Sequence, residues 1–177
     1  MHRFLFLTAF LAFSLGHAYT QKTCAIIIKT DTSTKTRKAE TSLFAIGKEN
    51  DNLYCSAFRS GSSFGIYFNL EIWNKTICFK PGSRAIIIFD DLSKIQVTND
   101  QSTNCKGNFF ITGAYGTSDE GDKSPIFNAL GAKIIKAIRF YTNEGFVDYD
   151  VAEDDDSDSM IKAEEFRSAI ACLKSDW

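Results

Sequence analysis

Two groupings of oxygen-bearing side chains in this 177-residue chain have types and spacing that suggest chemistry. One is the acidic stretch Asp154-Asp155-Asp156-Ser157-Asp158-Ser159-Met160-Ile161-Lys162-Ala163-Glu164-Glu165, which suits a hard dication that takes six to eight oxygens. The other is Gly61-Ser62-Ser63-Phe64-Gly65, which reads G-x-S-x-G, the pattern of a hydrolase nucleophile elbow. Such a serine needs an imidazole of near-neutral pKa to take its proton. The chain has 2 histidines, His2 and His17, and both fall in an N-terminal segment expected to be removed on export. The exported chain then contains none, which excludes Ser–His–Asp, Cys–His and histidine-ligated zinc chemistry. Gly61–Gly65 is therefore expected to be a Gly/Ser turn leading into a strand. Any enzyme built here would need paired carboxylates, as glycosidases use. Asp148 with Asp150, or Glu71 with Asp90 or Asp91, are the available pairs, and none stands out among 22 acids.

The acidic stretch resembles the calcium loop of the EF-hand family. Asp154, Asp156 and Asp158 match loop positions 1, 3 and 5, Met160 matches the backbone-carbonyl position 7, Ile161 the apolar position 8, and Glu165 the bidentate carboxylate at position 12. The resemblance implies a Ca2+ site made by these residues, with Phe166 and Ile170 continuing into an exiting helix. It is confined to this motif. Ser159 stands where the family has glycine, the residues before Asp154 alternate like a strand, and no second loop is present. The alternative is an acidic turn with no metal, in which Asp158 or Ser159 caps the last helix and the carboxylates meet its positive dipole end.

The N-terminus sets the compartment. His2 and Arg3 precede an uncharged apolar run, Phe4–Leu15, and Gly16-His17-Ala18 offers small residues at −3 and −1 of a cleavage site. Residues 1–18 are read as a secretory signal peptide, leaving 19–177 as one extracellular domain. The apolar run falls short of a bilayer span, and no later segment reaches one. The remaining 5 cysteines, Cys24, Cys55, Cys78, Cys105 and Cys172, should pair in an oxidising compartment. An odd count predicts two bridges and one thiol, left free or used for a disulfide-linked dimer. Spacing does not choose among the pairings. Asn74-Lys75-Thr76 is an N-glycosylation acceptor.

Periodicity supplies the elements that must position these groups. Strands are expected at Cys24–Lys29, Phe64–Trp73, Thr76–Lys80, Arg84–Phe89, Leu92–Val97 and Phe109–Thr112, with turns at Pro81-Gly82, Asp90-Asp91 and Asn99–Asn104. In Phe64–Trp73 the residues Phe64, Ile66, Phe68, Leu70 and Ile72 face one way, while Gly65, Tyr67, Asn69, Glu71 and Trp73 face the other. Ser124-Pro125 starts a helix in which Ile126, Leu130, Ile134 and Ile138 recur, in competition with a hairpin from about Ile138 through Val151. Met160–Leu173 is a helix with a broad apolar face. The fold class is α+β: mostly antiparallel β-sheet or sandwich with a C-terminal helix, stabilised by disulfides.

Charge is uneven. Six basic residues face two acids between Lys22 and Lys48, and eleven acids face four bases between Asp119 and Asp158. Nothing favours nucleic acid, because the domain is not basic and lacks an aromatic–basic pattern. Lys35-Thr36-Arg37-Lys38 is expected to be a solvated loop, with sulfated glycans as its alternative partner. The reading that follows is a secreted, non-enzymatic binding or effector protein of the saliva, venom, seminal-fluid or immune type. Its partner would be an extracellular protein, a glycan or a small apolar ligand. The alternatives are a calcium-binding module and a carboxylate-based glycan hydrolase.

Overall fold

A computed structural model of the chain describes residues 24, 26–30, 32–47, 53–70, 76–114, 124–152 and 157–175. The elements run β1 (Ile26–Thr30), β2 (Arg37–Thr41), β3 (Phe44–Ile46), β4 (Leu53–Ser60), β5 (Ser63–Leu70), β6 (Arg84–Phe89), β7 (Lys94–Thr98), β8 (Asn108–Ala114), α1 (Ser124–Ala132), β9 (Ile135–Thr142), β10 (Gly145–Asp150) and α2 (Ser157–Ser175). They form a six-stranded sheet ordered β1-β2-β4-β5-β8, with β3 also on β4, and a four-stranded sheet ordered β10-β9-β6-β7. Every strand pairing is antiparallel. This is the α+β architecture expected, with a C-terminal helix and two disulfides, Cys24–Cys172 and Cys78–Cys105.

Alternation decides which face is buried. Along β5, Phe64, Ile66, Phe68 and Leu70 are buried while Tyr67 and Asn69 are half-exposed, as the pattern predicts. The inner face of the first sheet is shared between two covers. Phe68 and Phe109 meet Phe140 of β9 at 5.9 and 5.3 Å between ring centroids. Phe64 meets Phe127 of α1 at 4.8 Å, and Phe44 meets Phe166 of α2 at 5.6 Å. One continuous cluster of buried apolar residues spans both sheets and both helices.

The helices cross where a side chain is missing. A Cβ on Gly131 would lie 3.4 Å from the Ala171 backbone, an ordinary van der Waals contact, so α1 and α2 pack closely at this point. Arg167 ties the same crossing, donating to Gly131 O at 3.2 Å and to Glu164. Arg59 of β4 donates to the Leu173 and Lys174 carbonyls at 3.4 and 3.0 Å, satisfying acceptors that a helix end leaves open.

Several expectations shift for physical reasons. Arg37 and Lys38, placed by sequence in a solvated loop, open β2, because Lys38↔Ser60 and Ala39↔Arg59 pairing captures them. The first helix stops at Ala132, and Ile135–Thr142 instead pairs with both β6 and β10. Sheet pairing on both sides outweighs the four-residue periodicity through Ile134 and Ile138. Thr76–Lys80 contributes only a single bridge, Phe79↔Asn104. The last helix begins at Ser157, so Asp158 and Ser159 lie inside its first turn. Gly61-Ser62 is the two-residue turn between the paired Ser60 and Ser63, with Gly61 at φ 58. Glycine at the first central position with that φ is the type II′ requirement.

Candidate functional site

The five metal candidates are divided by the start of α2. Asp154 and Asp156 lie outside the described residues, as does the glycosylation candidate Asn74. Asp158, Met160 and Glu165 are all helical. Helical rise sets Asp158 and Glu165 about 10 Å apart along the axis, whereas the calcium loop curls its ligands around one ion. Within a helix the Met160 carbonyl is directed at the N–H four residues on. Asp158 Oδ2 pairs with Lys162 at 2.7 Å. Among the described residues no group of three or more His, Cys, Asp or Glu side chains is placed to hold a metal ion.

Of the carboxylates named from sequence, Asp148 and Asp91 are engaged elsewhere. Asp148 is held by a two-pronged contact with Arg139, both arms at 2.7 Å. That contact holds the Asp148 carboxyl below its ordinary value. Asp91 accepts from Ser93 and pairs with Lys133 at 2.7 Å, and Glu71 lies outside the described residues. Ser63 opens β5, and no histidine lies among the described residues.

The unpaired cysteine is Cys55, fully buried in β4. Burial pushes its thiol pKa far above the ordinary value. A disulfide-linked dimer through the odd cysteine is thereby corrected: the sulfur cannot reach a partner while the sheet is intact.

The first sheet builds a cleft on its outer face. β2 pairs with Phe58–Ser60 of β4, then the chain leaves β4 and returns as β3 on Leu53–Cys55. At the break, the Ala57 N–H is satisfied by Thr41 Oγ1 at 3.0 Å. The linking residue Leu43 is turned outward and stays 61% exposed. It becomes one wall of an open cleft of about 310 Å³, lined also by Tyr54, Tyr67 and Asn69. Register explains the grouping. Tyr54 faces Asn69 across β4 and β5, and Asn69 faces Asn108 across β5 and β8, so the three lie in one row with Tyr67 in the next.

The polar groups of this row are fixed by their mutual bonds. Asn108 Oδ1 accepts from Tyr67 Oη and from Asn69 Nδ2, both at 2.6 Å. Asn69 Nδ2 also donates to Lys106 O at 3.0 Å. Both amide orientations are set by these contacts. Burial raises the Tyr67 phenol pKa, with a smaller opposing effect from Asn69, so the phenol stays protonated and donates. Farther along the face, Phe58 and Phe110 stack at 6.0 Å over Gly65, where an added Cβ would lie 2.2 Å from the Phe58 ring.

The loop before β8 holds Asn108 in place. Asn104 Oδ1 accepts from Asn108 N at 3.1 Å, Asn99 Oδ1 from Phe110 N at 2.9 Å, and Asp100 Oδ2 from Thr112 N at 2.7 Å. These are alternate N–H groups of the edge strand, so side chains stand in for a missing neighbour. Asn99, 1% exposed, also donates to the Lys80 and Gln101 carbonyls at 3.0 and 3.1 Å. The Cys78–Cys105 disulfide closes the same loop onto the chain after Ile77.

No protein-family model, curated protein or solved structure matches the chain. Sequence reasoning placed Tyr67 and Asn69 on the face pointing away from the core. It missed Tyr54, Asn108 and Leu43, because Leu53–Ser60 lacks a strong alternating apolar signal and Asn108 sits in a polar run. Outward aromatic and amide residues at strand positions were the available signal.

Proposed function

We propose that the chain is a secreted, non-enzymatic binding protein that engages an extracellular target through the outer face of its first sheet. The observation that carries this reading is the Leu43–Tyr54–Tyr67–Asn69 cleft, which combines exposed apolar surface with hydrogen-bonding groups held in fixed orientation. Small-ligand sites have that composition, and about 300 Å³ is the lower end of their size range. Export is supported by the N-terminal signal pattern and by two disulfides. The histidine-free exported sequence favours binding over acyl-transfer or zinc hydrolysis.

The test is binding of the fluorescently labelled secreted protein to cell surfaces and extracellular matrix. Tyr54→Glu, in the cleft, should abolish it, while Gln96→Glu on the exposed face of β7 should not. Equal binding by both variants and the wild type would remove the cleft from the function.

Calcium binding at residues 154–165 is a second proposal, supported by the acidic run and by the exposure of the Asp158 side chain, 69%. Binding in the family's manner would unwind the first turn of α2. Calorimetric titration with calcium, compared with Glu165→Gln, should then show saturable heat together with a fall in helical circular dichroism. Absence of both at millimolar calcium would reject it.

A further inference from the structure

We propose that the cleft on the outer face of the first sheet takes a neutral saccharide, an inference that rests on this face being the binding face. A pyranose presents C–H groups on its ring faces and, at its rim, neighbouring hydroxyls that each donate and accept. The cleft offers the complement of both. Tyr54, Tyr67 and the exposed Leu43 supply apolar surface. Around them, the internal bonds use Asn69 Nδ2, Asn108 Oδ1 and the Tyr67 proton. What remains is an acceptor, Asn69 Oδ1, a donor group, Asn108 Nδ2, and the Tyr54 hydroxyl, which does both. None of these three has a hydrogen-bond partner among the described residues.

Charge narrows the ligand class. Among the described residues no ionised side chain lines the cleft. Farther along the same sheet Glu40, opposite Phe58, is closed off between Lys29 and Lys38. Among the described lining residues a sulfated or sialylated chain would meet no counter-charge, and a basic peptide no carboxylate. A purely apolar ligand would leave the polar groups of the lining Tyr54 and Asn69 unpaired, at a cost for each. An uncharged, hydroxyl-rich ligand avoids all of these losses. The shallow, open shape fits a short stretch of an oligosaccharide, with the rest of the glycan in solvent.

The experiment is a two-dimensional amide NMR titration of the secreted protein with cellotetraose, chitotetraose, mannotriose and lactose at millimolar concentration. At least one should give saturable shifts confined to the surroundings of Tyr54, Tyr67, Asn69 and Asn108. Asn69→Ala should weaken that binding about tenfold, the effect of losing one well-placed hydrogen-bonding group. Leu43→Ala, which removes only exposed surface, should also weaken binding and guards against a folding defect in the first variant. No shift at the cleft from any of the four saccharides, or equal shifts in wild type and both variants, overturns the inference. Enzymatic removal of cell-surface glycans separates the two levels. Cell binding that needs Tyr54 yet survives deglycosylation rejects the saccharide and leaves the binding face standing. Cell binding that is lost with the glycans supports both.

Discussion

Gly107 lies immediately before Asn108, and its backbone is bonded on both sides: its N–H donates to Ile77 O at 3.0 Å and its carbonyl accepts from Leu70 N at 2.9 Å. Its φ is +70, and a Cβ would fall 2.2 Å from Leu70 O and 3.1 Å from Leu70 C. Alanine there meets two penalties. The left-handed conformation costs about 1 kcal/mol for a residue with a Cβ. The overlap is with backbone, which has no rotamer to escape into, so at least one of the two hydrogen bonds must open, and typically both. Each contributes about 1 kcal/mol, and the unsatisfied groups add to this. Gly107→Ala should therefore cost about 3–4 kcal/mol. Gly82→Ala is the control, since Gly82 has φ +77 but nothing within 4 Å of the added Cβ. It should lose only the conformational term, about 1 kcal/mol. Urea unfolding followed by circular dichroism measures both, and at this chain length the thermal midpoints should fall by about 10 °C and about 3 °C. Equal losses in the two variants would mean that Leu70 and Gly107 do not approach as described, and with that Asn108 would lose its placement in the cleft.

Three further expectations follow from named contacts. Cys55 should resist iodoacetamide in the native protein and react as a single thiol once the disulfide-intact chain is unfolded in guanidinium; labelling of the native state would contradict its burial. Asn99→Ala should cost about 2–4 kcal/mol in urea unfolding, because it strands the Phe110 N–H and two carbonyls at a position 1% exposed. Asp91 is pulled from 3.8 to about 2, chiefly by its hydrogen bond from Lys133 and next by Ser93. A carboxylate depressed on folding stabilises fully above its unfolded pKa and ceases to do so as pH falls through the folded one. The wild-type thermal midpoint should thus fall more steeply than that of Asp91→Asn between pH 4 and pH 2, approximately the unfolded and folded pKa values of Asp91.

Apolar alternation, a local property, was sufficient to read β5, β6, β7 and the last helix from the sequence. The elements that escaped depend on distant pairing. β2 carries Arg37, Lys38 and Glu40, which give no apolar pattern, and it is a strand because β1 and β4 flank it on either side. Ile134 and Ile138 keep helical spacing, but the competing hairpin read from about Ile138 through Val151 is the one that forms, selected by pairing with β6 because β-branched residues suit a half-buried sheet. The cysteine count predicted two bridges and a thiol, but only three dimensions assign Cys55 as the thiol, with its two neighbours in β4, Tyr54 and Ser56, turned to the opposite face. The cleft was half legible for the same reason. Tyr67 and Asn69 sit on a strand that declares its faces, whereas Tyr54 and Asn108 join them through register alone.

The two ends of the first sheet are unlike, and the difference bears on which surface is available for binding. β8 is an edge, but its N–H groups at 108, 110 and 112 are taken by Asn104, Asn99 and Asp100. An edge closed in this way offers little to a strand from another chain. β1, the opposite edge, exposes Ile27 and Ile28 at 48% and 51%, and the Cys24–Cys172 disulfide ties the chain to α2 two residues before the strand begins. Strand addition, if it occurs on this sheet, is directed to β1. The Tyr54–Asn69–Asn108 row lies at the other end, across β4, β5 and β8. A strand added at β1 would leave the cleft uncovered, so self-association through that edge and ligand capture in the cleft are geometrically independent.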